Sequence, residues 1–191
     1  MVLSGHPFRV LPPSGAAGAA SPMDLVIEAS AFGGGSHPTT GSCLAALAAL
    51  APLDGLRVLD LGSGSGFLAI AALRLGAAGA LCLDVNPDAV ACARRNGMAN
   101  GVDGRLAHRQ GGPEDLDGEV FDVVVANVGG ELLLDEAPRI APLAAPGGRL
   151  VLSGLLREFA DDLAAAYRAQ GCEELSRSSP DAFCTLLLRA R

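Results

Sequence analysis

The 191-residue sequence predicts an α/β protein with a mostly parallel sheet, helices on both faces and an antiparallel last strand. Three observations predict it. Short continuous apolar runs alternate with helix-length stretches, the pattern of strands buried on both faces. One such run, Val58-Leu59-Asp60-Leu61, passes directly into a glycine-rich turn, Gly62-Ser63-Gly64-Ser65-Gly66. The next, Leu81-Cys82-Leu83-Asp84, ends in a carboxylate 18 residues beyond Gly66.

The elements follow in order. Phe8-Arg9-Val10-Leu11 suits a short strand, and the Pro/Gly/Ala/Ser-rich run from Pro12 to Pro22 reads as a flexible linker. Residues 1–30 are therefore expected as an extended lead-in, and residues 31–191 as one domain. Thr39 to Leu50 has helical spacing, with Leu44, Leu47 and Ala48 on one face. Arg57–Leu61 is the first strand of the sheet, and the helix from Gly66 to Leu75 closes at Gly76. Ala80–Asp84 is a strand. The next helix, Pro87 to Ala99, has Asn86 as N-cap and proline at its first position. Leu106–Arg109 and Phe121–Val128 are further strands. Glu131–Leu143 is helical but carries Pro138, which bends or splits it. Pro146-Gly147-Gly148 turns into strand Arg149–Leu152. Glu158–Gln170 is a helix ended by Gly171, and Glu173–Ser176 with Ala182–Arg189 close the sheet as an antiparallel pair.

Composition excludes several classes. Half the residues are hydrophobic, enough for a core, but no apolar run reaches the ~18 residues of a membrane-spanning helix. Residues 1–20 lack a basic start and an apolar segment, against a secretory signal. The 5 cysteines are odd in number and form no CxxC pair, so they are expected as buried free thiols in a reducing cytoplasm. Net charge is −7 and basic residues are scattered, unlike a nucleic-acid-binding face. The three histidines, His6, His37 and His108, are far apart in sequence with no cysteine cluster, so no metal site is expected.

Ligands of such sheets bind beyond the carboxyl ends of the strands, near the switch in strand order. Asp60 to Gly66, Asp84 and Asn127 all fall at strand ends. The glycine turn admits a nucleotide close to backbone, and Asp84 can accept both ribose hydroxyls. The dinucleotide pattern GxGxxG is not met, because the third glycine comes one residue early and Phe67 stands where glycine is wanted. No GK[ST] follows, which excludes a P-loop.

Asp60-x-Gly62-x-Gly64-x-Gly66 resembles motif I of the class I methyltransferases that use S-adenosylmethionine. Those enzymes have a Rossmann-like seven-stranded sheet. A second stretch narrows the family. Ala31-Phe32-Gly33-Gly34-Gly35-Ser36-His37-Pro38-Thr39-Thr40 closely resembles the AFGTGxHxTT loop of the ribosomal protein L11 methyltransferases. Val125-Ala126-Asn127-Val128 is similar to that family's VANI segment. Pro146-Gly147-Gly148 through Ser153-Gly154-Leu155-Leu156 is similar to its later glycine-containing strand. The match runs in order over residues 30–190.

The resemblance implies N-methylation of a protein amine, a lysine side chain or an N-terminus, on a ribosomal protein. It implies that Thr40 contacts the cofactor, Gly62 packs against it, Asp84 holds the ribose, and Asn127 lies near the methionine end and the incoming amine. Gly64 and Gly66 complete the turn. Asp60 either braces the turn or receives the cofactor's ammonium. His37 orders the loop or is simply structural, and Phe32 packs on the cofactor or anchors the loop. Two departures stand out: Gly34-Gly35 replaces Thr-Gly, and Gly129-Gly130 replaces bulkier residues. Gly130 also occupies the place where nucleobase amino-methyltransferases of this fold carry a stacking aromatic, against a DNA or RNA base as substrate. Only about thirty residues precede the loop, so the family's N-terminal recognition domain is not expected. Two alternatives stay open: a small-molecule methyltransferase, and a cofactor-binding scaffold without catalysis. Oligomeric state has no signature in the sequence.

Overall fold

The computed structural model describes residues 7–18, 21–28, 37–179 and 181–191. A seven-stranded sheet carries the fold. Its strands are β3 (Arg57–Leu61), β4 (Gly79–Asp84), β5 (Leu106–Gln110), β6 (Phe121–Asn127), β7 (Ala144–Leu156), β8 (Cys172–Ser178) and β9 (Phe183–Ala190). Their order is β5-β4-β3-β6-β7-β9-β8. The pairs from β5 to β7 are parallel, whereas β9 runs antiparallel to both β7 and β8. This is the α/β class that the alternation predicted. The order reverses at β3, which pairs with β4 on one side and β6 on the other. That switch point opens a crevice at the carboxyl ends.

Side chains alternate across the sheet, so each face has its own core. Leu59, Leu61, Val124, Leu150 and Leu152 pack beneath α4 (Gly130–Asp135), α5 (Ala137–Ile140) and α6 (Ala160–Ala169). Val58, Val123, Val125 and Val151 pack beneath α1 (Pro38–Ala49), α2 (Phe67–Arg74) and α3 (Pro87–Ala99). Asp60, Asn127, Ser153 and Thr185 fall on the second face by register, which turns them towards α1 and α2.

Some boundaries differ from the sequence reading. The helix expected over Glu131–Leu143 is divided into α4, α5 and a 3-10 turn at Ala141–Leu143, with Pro138 in the first turn of α5, where its missing N–H costs nothing. Strand β7 starts at Ala144, five residues before the expected start, because Ala144 pairs with Phe121 before the ladder shifts register. The Pro12–Pro22 stretch holds a 3-10 helix at Pro13–Gly18. It joins β1 (Arg9–Leu11) to β2 (Asp24–Val26), a parallel pair whose second strand the sequence did not reveal. Phe8, Leu25 and Ile27 are fully buried against the α1–α3 core. The Asn100 amide ties the pair to α3: its Nδ2 donates to the Val26 carbonyl at 2.7 Å, and its Oδ1 accepts from the Val26 N–H at 2.9 Å.

Candidate active site

Strand β3 ends at the switch point, and the chain must turn there at once to start α2. Gly62 has φ +68°, and a Cβ at this position would collide with Val128 Cγ1. Only glycine lets the turn lie this close to the tip of β6. Gly66 has φ +75°, and its Cβ would meet Ala93 Cβ of α3 at 2.9 Å. The turn is seated on β4 by Gly62 N–H and Ser63 N–H, both donating to the Leu83 carbonyl at 2.8 and 3.1 Å.

Asp84, the last residue of β4, accepts from Gly64 N–H at 2.9 Å through one oxygen and from Asn86 N–H at 2.9 Å through the other. The carboxylate is thus aimed across the turn and fixed. Each oxygen keeps a free lone pair. Val85 follows it with 70% of its surface exposed.

Asp60 stands behind the turn, buried, and does not line the crevice. Its carboxylate accepts from Ala69 N–H at 3.0 Å, which satisfies one of the unpaired donors at the start of α2. Burial pushes its pKa up to about 7; the Ala69 bond opposes that, and the Asp84 charge adds to it. Asn96 ties the other side: its Nδ2 donates to the Ser65 carbonyl at 2.9 Å, while Oδ1 accepts from Glu28 N–H at 2.9 Å. A single buried side chain therefore joins the lead-in to the glycine turn.

The crevice has a volume of about 380 Å³. His37, Thr40, Gly62 and Asn127, four of the residues singled out in sequence, line it together. Asn127 Nδ2 is directed at Thr40 Oγ1, 3.4 Å away, across 87 residues of chain. His37 caps α1: its Nδ1 lies 2.7 Å from Thr39 Oγ1 and accepts from Thr39 N–H at 3.4 Å. Ser42, Thr185 and Ser153 form a hydroxyl chain that pins this first turn to β9 and β7, with Oγ–Oγ1 separations of 2.5 and 2.6 Å. Phe32 lies outside the described residues, as does the rest of the loop before His37. A larger hollow of about 650 Å³ opens at the other end of the sheet, at the starts of β3, β4 and β5. It has neither a glycine turn nor a strand-tip carboxylate, so position rather than size identifies the site.

Sequence reasoning missed Phe183, Val128, Phe67, Leu68 and Gly154, which also line the crevice. Phe183 had a signal in its place at the head of the last strand. Asn96 had none. No described lining residue is acidic, lysine or arginine.

Comparison with known proteins places this geometry. Residues 15–191 match the family model described as ribosomal protein L11 methyltransferase. The chain is 50% identical over 142 residues to the ribosomal protein L11 methyltransferase of Chromohalobacter salexigens, covering 74% of this chain and 46% of that protein. It is 44% identical over 165 residues to the one from Ectopseudomonas mendocina, covering 85% and 56%. It thus spans about half the length of the curated relatives it matches. A crystal structure of a ribosomal protein L11 methylase from Lactobacillus delbrueckii subsp. bulgaricus superposes over 100% of this chain and 97% of that one, with TM-score 0.86 and 26% identity. A glycine turn, a threonine and an asparagine brought to one crevice thus accompany whole-fold likeness and a family match over residues 15–191: the chain belongs to the ribosomal protein L11 methyltransferase family.

Proposed function

We propose that the chain is an S-adenosylmethionine-dependent methyltransferase acting on a protein amine, a lysine side chain or an N-terminus such as those of ribosomal protein L11. The juxtaposition of Asn127 and Thr40, which line one crevice with Gly62, is the observation that supports this reading. The residues fit the cofactor. Asp84 has lone pairs for two ribose hydroxyls, Val85 offers an apolar face for adenine, and Gly62 leaves room that a side chain would fill. Gly64 and Gly66 shape the turn, and Asp60 holds it from behind. The cofactor supplies a methyl group on a positive sulfur, already a strong donor.

The rest is positioning. Asn127 turns Nδ2 to Thr40, which leaves Oδ1 to accept an N–H of the acceptor and aim its lone pair inwards. The acceptor must be neutral, although free lysine has a pKa of about 10.4. The described lining holds no carboxylate that would keep an ammonium charged, and desolvation with a nearby positive sulfur lowers the amine's pKa. The proton leaves to solvent, and turnover rises with pH through the neutral range. The same lack of acids disfavours a guanidinium acceptor, which stays charged in proteins.

No described helix is long and apolar enough to cross a membrane, and we assign the protein to the cytoplasm, where ribosomal substrates are made. Calorimetry with S-adenosylhomocysteine and NAD, followed by methyl-tritium transfer to cell lysate, tests the reading. Binding of the first alone and label recovered as methyl-lysine or methylated N-terminus are expected. Label only in metabolites would make it a small-molecule enzyme. Binding without label would leave a scaffold.

A further inference from the structure

Strand β9 runs against its parallel neighbours, so its first residue stands where their last residues stand. That residue is Phe183, directly opposite Leu156 at the end of β7. Its ring lines the crevice that holds Asn127. It is met edge-on by the His37 imidazole, with centroids 4.8 Å apart and planes at 70°. This is the favourable T-shaped arrangement. His37 is itself fixed by Thr39 at the head of α1, so the two rings form a braced pair from segments 146 positions apart. Exposed apolar side chains follow at the end of β7. Leu156 is 42% exposed and Phe159, three residues on, is 44% exposed.

We propose that Phe183, braced by His37, is the acceptor-side wall of the site. It packs on the aliphatic stem of the incoming amine-bearing side chain and sets acceptor affinity without contributing to cofactor affinity. The chemistry suits a straight-chain amine such as lysine. Four methylenes need an apolar wall, the amine at their end needs Asn127, and an aromatic ring tolerates a partly charged nitrogen better than an aliphatic one does. Asp84 and the Gly64 N–H that fixes it are not among the residues lining this crevice and do not depend on this ring. The inference rests on the amine-methyltransferase reading.

The test compares two probes on the intact chain by calorimetry: S-adenosylhomocysteine, and an analogue whose sulfur is replaced by nitrogen carrying an n-butylamine arm. Wild type should bind the armed probe at least tenfold more tightly than S-adenosylhomocysteine. Phe183→Ala should remove most of that advantage while leaving S-adenosylhomocysteine affinity within threefold. Phe183→Tyr should keep the advantage, and Phe183→Leu should keep part of it. Loss of affinity for both probes in step would show that the ring serves the cofactor or the fold. An undiminished advantage in Phe183→Ala would show that the arm goes elsewhere, and either result overturns the wall alone. If wild type binds neither probe, the methyltransferase reading fails and takes the wall with it.

Discussion

The two sides of the crevice are made of different material. The glycine-turn side is backbone: strand tips, peptide N–H groups and glycines too close to their neighbours to carry a side chain. Asp84, beside the turn and outside the crevice's described lining, is held from two directions by peptide N–H groups. The opposite side is side chain: Thr40, Asn127, Val128, His37 and Phe183, brought from α1, β6 and β9. The first kind of surface can hold one ligand shape. The second kind can change by substitution. A site that keeps its cofactor and varies its acceptor would be built in this way.

If that division is real, variants on the two sides should fail differently. The largest effect is expected from Asn127→Ala. Misdirecting the acceptor amine should lower kcat by about 100-fold or more, with S-adenosylhomocysteine affinity barely altered. A parallel fall in affinity would erase the distinction. Asp84→Ala should do the reverse, weakening S-adenosylhomocysteine by ~1.5–3 kcal/mol in calorimetry through loss of bonds to a charged group. Unchanged affinity would remove Asp84 from the ribose site.

Gly62→Ala tests the backbone side directly. The left-handed φ costs about 1–2 kcal/mol in an L-residue, and the new methyl group must push Val128 aside. At this length each kcal/mol lowers the melting temperature by about 2–4 °C. A variant that melts with wild type would show that the turn has slack.

The last effect is one of pH dependence and concerns Asp60. Its pKa of about 7 means that the folded state keeps a proton which the unfolded chain has released above about pH 4. Stability is therefore lost as pH rises from about 4 to 7, and the loss is complete above that range. Asp60→Asn keeps an acceptor for Ala69 N–H and removes the titration. Its melting temperature should match or trail wild type near pH 4 and gain on it at pH 8. A constant difference across that range would mean that Asp60 does not titrate in this way.

The backbone side was legible in the sequence because its geometry demands particular residues. Glycine at 62 and 66, and an acid at 84, are constraints that one chain can display. Proline at 138 likewise announced the divided helix. The side-chain surface was legible at Asn127 from its place at a strand end, and at Thr40 and His37 only where a resemblance marked them. Phe183 went unread because no motif marks it, although the antiparallel closing strand that the sequence predicted already sets its first residue beside the end of β7. Asn96 looked like an ordinary polar residue on a helix, since nothing near it in sequence states that Glu28 and Ser65 are its partners. Strand β2 was hidden because three residues carry too little periodicity to read.

The reversed strand has one more consequence. Residue 183 is the first of its strand, paired with Leu156, and a change of its side chain leaves the sheet's backbone hydrogen bonds in place. A lineage could exchange the ring there and adopt a new acceptor by point mutation, inheriting the nucleotide cradle unchanged.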